Sequence, residues 1–352
     1  MTPNHVSLIV PGSIDTRTGG SIYDRRIALA LRARGWSVDI EELDDSFPHP
    51  TPAVLGDAAR VLAAIPEGRS VLVDGLAFGA MPVQVEREAT RLRLIAVVHL
   101  PLADEVGLDR ETAARFDTSE RRALAAASLV VVTGSPTIAA LERYSVTRDR
   151  IALVEPGTDR APIARGSGGA LVNLVCVATL NPGKGHDVLI RALASVPSRD
   201  WRLVCVGSRR RDPPTADRVG AMICAEKLQD RVELVGELDE AGVAAAYDRA
   251  DLFVLASFRE TYGMAVAEAL ARGLPVVGTT TGAIPDLVGD EAGLLVPPGD
   301  DVALAAALSR AIGDAELRAR FAAGARRVRD RLPTWDDAAE KMATVLELAE
   351  DG

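Results

Sequence analysis

The sequence predicts two doubly wound α/β domains, each a parallel sheet with helices on both faces. Its length of 352 residues exceeds that of one ordinary compact domain and fits two. Short β-branched runs recur along both halves, and most of them are continuously apolar, as strands are when helices cover both faces. The runs are Val6–Val10, Ser37–Ile40, Val71–Val73, Leu94–Val98, Leu129–Val132 and Ile151–Val154 in the first half, and Leu171–Val177, Arg202–Val206, Val232–Val235, Leu252–Leu255, Pro275–Val277 and Gly293–Val296 in the second.

The segments between these runs place the domain border. The stretch Tyr23 to Gly35 has helical periodicity and stops at a glycine, a residue that helix C-termini favour. Pro156 to Gly169 is rich in Gly, Pro and Ser without any periodic pattern, which predicts a linker. The assignment is a first domain over residues 1–160, a second over 161–332, and a C-terminal helix over 333–352 that could pack on either domain and that we place on the first.

Charge and composition exclude several classes of protein. The net charge of −10 has the wrong sign for a protein that binds nucleic acid or anionic lipid. The cysteines Cys176, Cys205 and Cys224 are odd in number and show no CxxC spacing, so neither a disulfide nor a cysteine zinc site is expected. No basic segment follows Met1, and no uncharged stretch reaches the roughly 18 residues of a spanning helix. We therefore expect a cytoplasmic protein with no integral membrane segment and no nucleic-acid partner.

Two features of the first domain could contact a ligand. Gly19 and Gly20 follow the first strand and open a helix, where backbone N–H groups and the helix dipole favour an anion. His99 ends the fourth strand, at the sheet edge where open α/β sheets bind ligands, and its imidazole can donate to a sugar hydroxyl or a developing charge. Taken alone, each feature is explained as well by a flexible turn or a structural histidine.

In the second domain, Lys184 lies between two glycines, in a loop that joins a strand to the helix predicted over Asp187 to Ala194. An ammonium group beside a helix N-terminus is well placed to neutralise a diphosphate. The loop is not a P-loop, because the four-residue spacer and the following Ser or Thr are absent.

The segment from Glu260 to Glu268 adds carboxylates to the same edge. Glu260 falls in the loop after a strand, Tyr262, Gly263 and Met264 offer backbone N–H groups at a helix start, and Glu268 lies two turns into that helix. The backbone amides can bind an anion and the carboxylate can bind hydroxyl groups, so the segment suits a ligand that carries both kinds of group. The alternative is a solvated amphipathic helix, but the apolar neighbours of Glu268 predict a buried surface, where an unpaired carboxylate is costly.

The order of these motifs resembles the retaining glycosyltransferases of family 4 in the GT-B superfamily. The resemblance covers nearly the whole chain and is strongest from Leu171 to Gly299, where Thr281-Gly282-Ala283-Ile284-Pro285-Asp286 is followed by Gly293-Leu294-Leu295-Val296. It implies the GT-B fold, in which two Rossmann-like domains hold a nucleotide diphosphate sugar in the cleft between them. It further implies a front-face substitution in which the leaving phosphate helps to deprotonate the acceptor, with no protein nucleophile, metal or other cofactor.

The resemblance also assigns roles to residues. Glu268 would bind the ribose hydroxyls, Glu260 the sugar, Lys184 the diphosphate and His99 the transferred sugar near its anomeric carbon, while Gly20 would let the first domain close on the phosphates. The residues implied as catalytic are His99, Glu260 and Lys184, and those implied as donor-binding are Gly19, Gly20, Thr179, Lys184, Val235, Leu238, Tyr262, Gly263, Met264 and Glu268, with the nucleobase at the segment from Val235 to Leu238.

The predicted reaction is transfer of a hexose, with retention, from a nucleotide diphosphate sugar to a hydroxylated acceptor. UDP is favoured over GDP on family frequency, and a soluble small molecule is the expected acceptor. Thr179 stands where many members have an arginine, so Lys184 must carry more of the leaving-group charge or Arg209 or Arg210 must reach in. Ala283 replaces the second glycine of a Gly-Gly pair. Two alternatives stay open, a nucleotide-sugar epimerase on the same fold and a non-catalytic nucleotide-sugar-binding subunit.

Overall fold

The structure, a computed structural model, describes residues 4–351 and divides into two compact units. The first unit runs to Gly157 and takes up the chain again from Pro333, whereas the second comprises Thr158–Leu332. The border that the sequence suggested at residue 160 lies a few residues from the structural one. Each unit is a six-stranded parallel sheet with helices, so the predicted α/β architecture is confirmed.

The first unit contains strands and helices in strict alternation over most of its length. Its strands are His5–Pro11 (β1), Ser37–Leu43 (β2), Ser70–Asp74 (β3), Arg93–Val98 (β4), Leu129–Val132 (β5) and Ile151–Leu153 (β6). Its helices before the second unit are Gly19–Ala33 (α1), Pro52–Ala64 (α2), Gly75–Ala80 (α3), Pro82–Glu88 (α4), Arg110–Ala125 (α5) and Ser135–Glu142 (α6).

The sheet order in the first unit is β2-β1-β3-β4-β5-β6. The sheet is extended from β1 to β2 on one side and from β3 to β6 on the other, so a topological switch point lies between β1 and β3. In doubly wound sheets, ligands bind outside the carboxyl ends of the strands at such a point. Every residue of β3 is buried, as the continuous apolar run from Val71 to Val73 predicts for a strand covered on both faces.

The second unit repeats the plan with a different strand order. Its strands are Val172–Val177 (β7), Trp201–Val206 (β8), Val232–Gly236 (β9), Leu252–Leu255 (β10), Val276–Thr279 (β11) and Gly293–Val296 (β12). Its helices are His186–Ala194 (α7), Pro213–Ala225 (α8), Glu240–Asp248 (α9), Met264–Ala271 (α10), Ile284–Val288 (α11), Asp301–Gly313 (α12) and Ala315–Arg329 (α13).

The sheet order of the second unit is β12-β11-β10-β7-β8-β9, the arrangement of a dinucleotide-binding fold. Its switch point lies between β7 and β10. The loops that follow these two strands are therefore the expected ligand loops, and they carry Lys184 and Glu260.

Local chemistry explains where the helices begin. The first helix starts at Gly19, where the glycine pair was expected to open it and one turn ahead of the periodic residues from Tyr23. The Thr18 hydroxyl accepts the backbone N–H of Ser21 at 3.2 Å and caps the helix there. The helix predicted over Asp187 to Ala194 begins one residue earlier, after a glycine in the left-handed conformation.

A last helix, Trp335–Asp351 (α14), belongs to the first unit and packs on α1. The Trp335 ring meets the Tyr23 ring edge-on at 6.0 Å between centroids, and the Arg26 guanidinium lies 5.1 Å from the centre of the Trp335 ring. Within residues 4–351, no helix is long and apolar enough to cross a lipid bilayer.

Candidate functional site

The structure brings Lys184 and Glu260 together at the switch point of the second sheet. The Lys184 ammonium donates to Glu260 Oε1 at 2.6 Å, and the Ser257 hydroxyl donates to the same oxygen at 2.7 Å. The Lys184 side chain is 28% exposed and that of Glu260 11% exposed. The ammonium is therefore held at the sheet edge by a charged hydrogen bond while part of it faces solvent.

Glycines at two positions allow the loops to approach each other this closely. Gly185 has φ +62°, and a Cβ there would lie 2.1 Å from the backbone oxygen of Ala256. Gly282 has φ +58°, and its Cβ would lie 2.1 Å from the backbone oxygen of Glu260. No other residue fits either position without moving the loop that carries Glu260. By contrast, Ala283 has φ −85° and ψ 3°, which any residue adopts, so the missing second glycine does not disturb this loop.

The α10 helix begins directly after the Glu260 loop. Gly263 precedes it with φ +95°, and the first helical residue is Met264. The Tyr262 side chain is buried against Ala267 and Ala283, so its ring serves packing, and only its backbone remains for the role that the resemblance implies.

Glu268 is half-buried and oriented by a tyrosine from α9. The Tyr247 hydroxyl lies 3.0 Å from Glu268 Oε2 and 3.1 Å from the backbone oxygen of Ala265, and burial raises the pKa of this tyrosine well above its usual value. The Arg272 guanidinium lies 4.6 Å from the centre of the Tyr247 ring. The carboxylate thus has a fixed direction near the first turns of α10.

The remaining predicted residues of the second unit lie along the same sheet edge. Thr179 follows β7 and is half-buried, Val235 is in the edge strand β9, and Leu238 follows that strand. Arg209 and Arg210 are exposed in the loop after β8. This loop is tied to the Thr179 loop, since the Leu180 N–H donates to the Ser208 backbone oxygen at 3.0 Å.

In the first unit, His99 lies between two buried carboxylates at the switch point of the sheet. Its Nε2 is 3.6 Å from Asp24 Oδ1, on α1, and 3.4 Å from Asp74 Oδ2, at the end of β3. Each aspartate is only 2% exposed. The Tyr23 ring meets the imidazole edge-on at 5.2 Å, and a Cβ on Gly20 would lie 3.1 Å from the imidazole Cδ2, so the glycine pair is next to His99.

The two carboxylates determine the charge of the imidazole. Burial alone would lower the pKa of His99, but Asp24 and Asp74 outweigh it and raise that pKa to about 10. Burial in turn raises the pKa of Asp24 to about 7 against the opposing effect of His99. His99 is therefore an imidazolium at neutral pH and acts as a hydrogen-bond donor and a positive charge, not as a base.

Sequence reasoning missed Asp24, Asp74, Ser257 and Tyr247. Two of them left a signal in the sequence. Asp24 is a charged residue on the face of α1 that buries Tyr23 and Ile27, and Asp74 ends an otherwise apolar strand. A charge at a position that the pattern predicts to be buried indicates a partner, although the pattern does not reveal which.

Known proteins with similar sequences cover part of the chain. A family model described as Glycosyl transferases group 1 matches residues 172–314. A D-inositol 3-phosphate glycosyltransferase of Salinispora tropica is 32% identical over 250 residues, which are 64% of this chain and 52% of that protein. An MMP alpha-(1->4)-mannosyltransferase of Mycolicibacterium hassiacum is 26% identical over 337 residues, 89% of this chain and 79% of that one. The chain spans about half the length of the inositol phosphate glycosyltransferases it matches.

Solved structures share the fold over nearly all residues. Sucrose-phosphate synthase from Thermosynechococcus elongatus superposes with a TM-score of 0.84 at 23% identity, covering 98% of both chains. Anabaena Alr3699/HepE, solved in complex with UDP-glucose, gives 0.80 at 18% identity, covering 97% of this chain and 99% of that one. The chain has the fold of these two solved proteins, and its residues 172–314 are similar to the group 1 glycosyl transferases. The match to the family model falls on the unit that carries Lys184, Glu260 and Glu268.

Proposed function

We propose that this protein transfers a sugar from a nucleotide diphosphate sugar to a hydroxylated acceptor, with retention at the anomeric carbon. The observation that carries the proposal is the Lys184–Glu260 pair beside the N-terminus of α10, at the switch point between β7 and β10. A cation and the backbone amides at the start of a helix attract an anion there, while carboxylates accept hydrogen bonds from hydroxyls. A nucleotide diphosphate sugar presents both kinds of group.

The donor is proposed to bind with its diphosphate at the start of α10 and at Lys184. Glu260 is already hydrogen-bonded to Lys184, so a sugar hydroxyl that donates to Glu260 would share this carboxylate with the ammonium. Glu268, held in place by Tyr247, is proposed to accept hydrogen bonds from the two ribose hydroxyls. The complex of HepE with UDP-glucose supports a UDP-sugar as the donor, and a hexose is the proposed sugar.

The chemistry requires charge stabilisation at the leaving diphosphate more than it requires a base. Lys184 and the amide dipoles of α10 supply positive charge there, so we propose that the reaction needs no divalent metal. The bond between the anomeric carbon and the phosphate oxygen breaks, and the acceptor oxygen bonds to the anomeric carbon on the face that the diphosphate leaves, so the configuration is retained. The leaving phosphate oxygen takes the acceptor proton. His99, as an imidazolium, is proposed to donate a hydrogen bond to the transferred sugar and to leave the acceptor proton to the phosphate.

The acceptor is proposed to be a soluble hydroxylated small molecule. The names of the relatives support this choice, because one set is described as acting on D-inositol 3-phosphate. The charge on α5 points the same way. Two of its arginines are paired with carboxylates, Arg121 with Asp117 and Arg122 with Glu86, which is unlike the basic amphipathic surface that binds anionic lipid. Glu120 is buried and does not contribute to this surface.

The first test is a thermal-shift screen of UDP- and GDP-sugars, since a ligand of the native state raises the melting temperature by mass action. We expect one UDP-sugar to stabilise the wild type and the Glu226→Ala variant, which changes an exposed glutamate of the same unit, and to stabilise Glu268→Ala much less. If the Glu268→Ala and wild-type proteins bind UDP with equal affinity in calorimetric titration, Glu268 does not bind the ribose.

The second test separates transfer from the alternative reactions. The donor that binds is incubated in EDTA with and without hydroxylated acceptors, and the products are identified by NMR. A glycoside with the anomeric configuration of the donor supports the proposal. Epimerised donor without acceptor would assign an epimerase, complete metal-reversible loss in EDTA would require a metal, and tight binding without turnover across the acceptor panel would favour a binding subunit.

A further inference from the structure

Glu120, on α5, is a buried carboxyl group that holds the backbone shortly after His99. Its side chain lies in the core of the first unit, and the residue is only 1% exposed. Its Oε2 accepts the backbone N–H of Leu102 at 2.9 Å. Leu102 opens a single turn of 3₁₀ helix, Leu102–Asp104, and Pro101 before it has no N–H. Because the first N–H groups of a helix have no partner within the helix, Glu120 supplies the partner that this buried donor needs.

The Leu102–Asp104 turn is held at both ends and is packed against α3. A Cβ on Gly79 of α3 would lie 2.8 Å from Leu102 Cδ1 and 3.2 Å from Glu120 Cγ. At the far end of the turn, the Arg143 guanidinium donates to both carboxylate oxygens of Asp104, each at 3.0 Å. The start of the turn is thus tied to α5 and its end to the residue that follows α6.

The carboxyl of Glu120 is mainly uncharged at neutral pH. Burial raises its pKa to about 8, against the opposing effects of the Leu102 N–H and the Tyr144 hydroxyl. The charges of Asp104 and Asp117 raise this pKa further. A protonated carboxyl still accepts through its carbonyl oxygen, as the amide of glutamine does, whereas the thioether of methionine is only a weak acceptor. Glutamine at this position therefore removes the ionisation alone, and methionine removes the hydrogen bond.

The turn lies where the proposed reaction needs its acceptor. Leu102 comes three positions after His99, which directly follows β4. The helix that packs on the turn, α3, begins directly after Asp74, one of the two carboxylates beside His99. The acceptor oxygen must come within about 3–3.5 Å of the anomeric carbon, and His99 is the proposed contact of the transferred sugar. The backbone of the turn, where Ala103 is only half-buried, is therefore placed to line the approach of the acceptor.

We propose that Glu120 is a positioning residue for the acceptor, which acts by holding the Leu102–Asp104 turn in place beside His99. The proposal rests on the sugar-transfer function. Glu120 itself contacts neither substrate. Loss of its hydrogen bond lets the turn move and weakens productive binding of the acceptor. The contacts proposed for the diphosphate and the ribose belong to residues of the second unit and stay unchanged.

The first test follows the Leu102 amide in the full-length protein. Pro101–Leu102 is the only Pro-Leu pair in the sequence, so labelling with ¹³C-carbonyl proline and ¹⁵N-leucine selects one amide signal in NMR spectra. In the wild type this signal is expected to move with a midpoint near pH 8, and in Glu120→Gln it is expected to stay fixed. At pH 7 its hydrogen exchange is expected to be at least about tenfold faster in Glu120→Met than in the wild type or Glu120→Gln. The control Glu67→Ala, which changes an exposed glutamate before β3, is expected to match the wild type.

The second test measures transfer with a saturating UDP-sugar and the hydroxylated acceptor that gives product. We expect Glu120→Met to lower kcat/KM for the acceptor at least about tenfold. Its calorimetric affinity for UDP and its rate of donor hydrolysis without acceptor are expected to stay within about twofold of the wild-type values. Glu120→Gln and Glu67→Ala are expected to keep all three values at pH 7.

Four results would contradict the positioning role. Equal exchange of the Leu102 amide in all four proteins would show that Glu120 does not hold the turn. Faster exchange with unchanged acceptor kinetics would make the contact purely structural. An equal loss of hydrolysis and transfer would place the effect at His99, and a parallel loss of UDP affinity would show a general loss of structure.

A second variant covers the case in which Glu120→Met does not fold. The pH titration of the Leu102 signal then tests the hold on the turn, and Arg143→Gln, which frees the Asp104 end, tests the effect of the turn on the acceptor. A signal that does not move, or acceptor kinetics that do not change, contradicts the proposal. Absence of product from the wild type with every acceptor would instead refute the sugar-transfer function, which the NMR experiments do not test.

Discussion

The Lys184–Glu260 pair offers a direct test of the donor-site geometry. The ammonium and the carboxylate are 2.6 Å apart, and both side chains are less than a third exposed. Exposed ion pairs contribute up to about 1 kcal/mol to stability, and removal of one partner from a buried pair costs about 3–5 kcal/mol. The energy of this half-buried pair is expected to lie between the two. We expect Lys184→Met to lower the free energy of unfolding of the second unit by about 2 kcal/mol, because Glu260 then keeps only the Ser257 hydroxyl. Glu260→Gln should cost less, and the double variant should show a coupling of about 1–3 kcal/mol.

Because the chain has two units, the assay must report on the second unit alone. The three tryptophans include Trp201 on β8, so protein labelled with 5-fluorotryptophan gives a ¹⁹F signal from the second unit in urea titrations. The surface pair of Asp187 and Arg191 on α7, in the same unit, serves as the control cycle, with a coupling of about 0.5 kcal/mol or less. A coupling that is equally small for Lys184 and Glu260 would show that the two groups do not meet as described.

Three further outcomes follow from the geometry. Gly282→Ala should destabilise the second unit by about 3 kcal/mol or more, because its Cβ would lie 2.1 Å from a backbone oxygen, and urea unfolding measures this. Tyr247→Phe should weaken UDP binding several-fold in calorimetry, because the donor-site carboxylate loses a hydrogen bond. The raised pKa of His99, about 10 against 6.5 when unperturbed, gives stability below pH 6.5 that is lost as the pH rises through 10. Asp24→Asn should lower the titration midpoint of the His99 imidazole measured by NMR. A midpoint near 6.5 in the wild type would contradict the contact of His99 with the two aspartates.

The strands were predictable because their burial requires a run of apolar residues at consecutive positions of the sequence. A strand covered by helices on both faces is apolar at most positions, and each of the predicted runs overlaps a strand of the structure. Helix starts were less predictable, since a single hydroxyl decides them. Thr18 starts α1 one turn ahead of the periodic residues.

The candidate site was predictable only where one loop contains the signal. Lys184 and Glu260 could be singled out because each follows a strand, and parallel strands direct such loops to one edge. Their mutual contact spans 76 positions of the chain and has no local record. The same holds for Asp24 and Asp74 around His99, which come from separate elements and meet only through the strand order β1-β3-β4.

The return of α14 to the first unit has a consequence for biosynthesis. Trp335 leaves the ribosome only after the whole second unit, yet Trp335 covers Tyr23, and Gly157 lies so close that a Cβ there would be 2.2 Å from the Trp335 nitrogen. A nascent chain therefore carries an uncovered apolar face on α1 throughout synthesis of the whole second unit. A stop codon near position 333 would destabilise the unit translated first, not the unit whose synthesis has just ended.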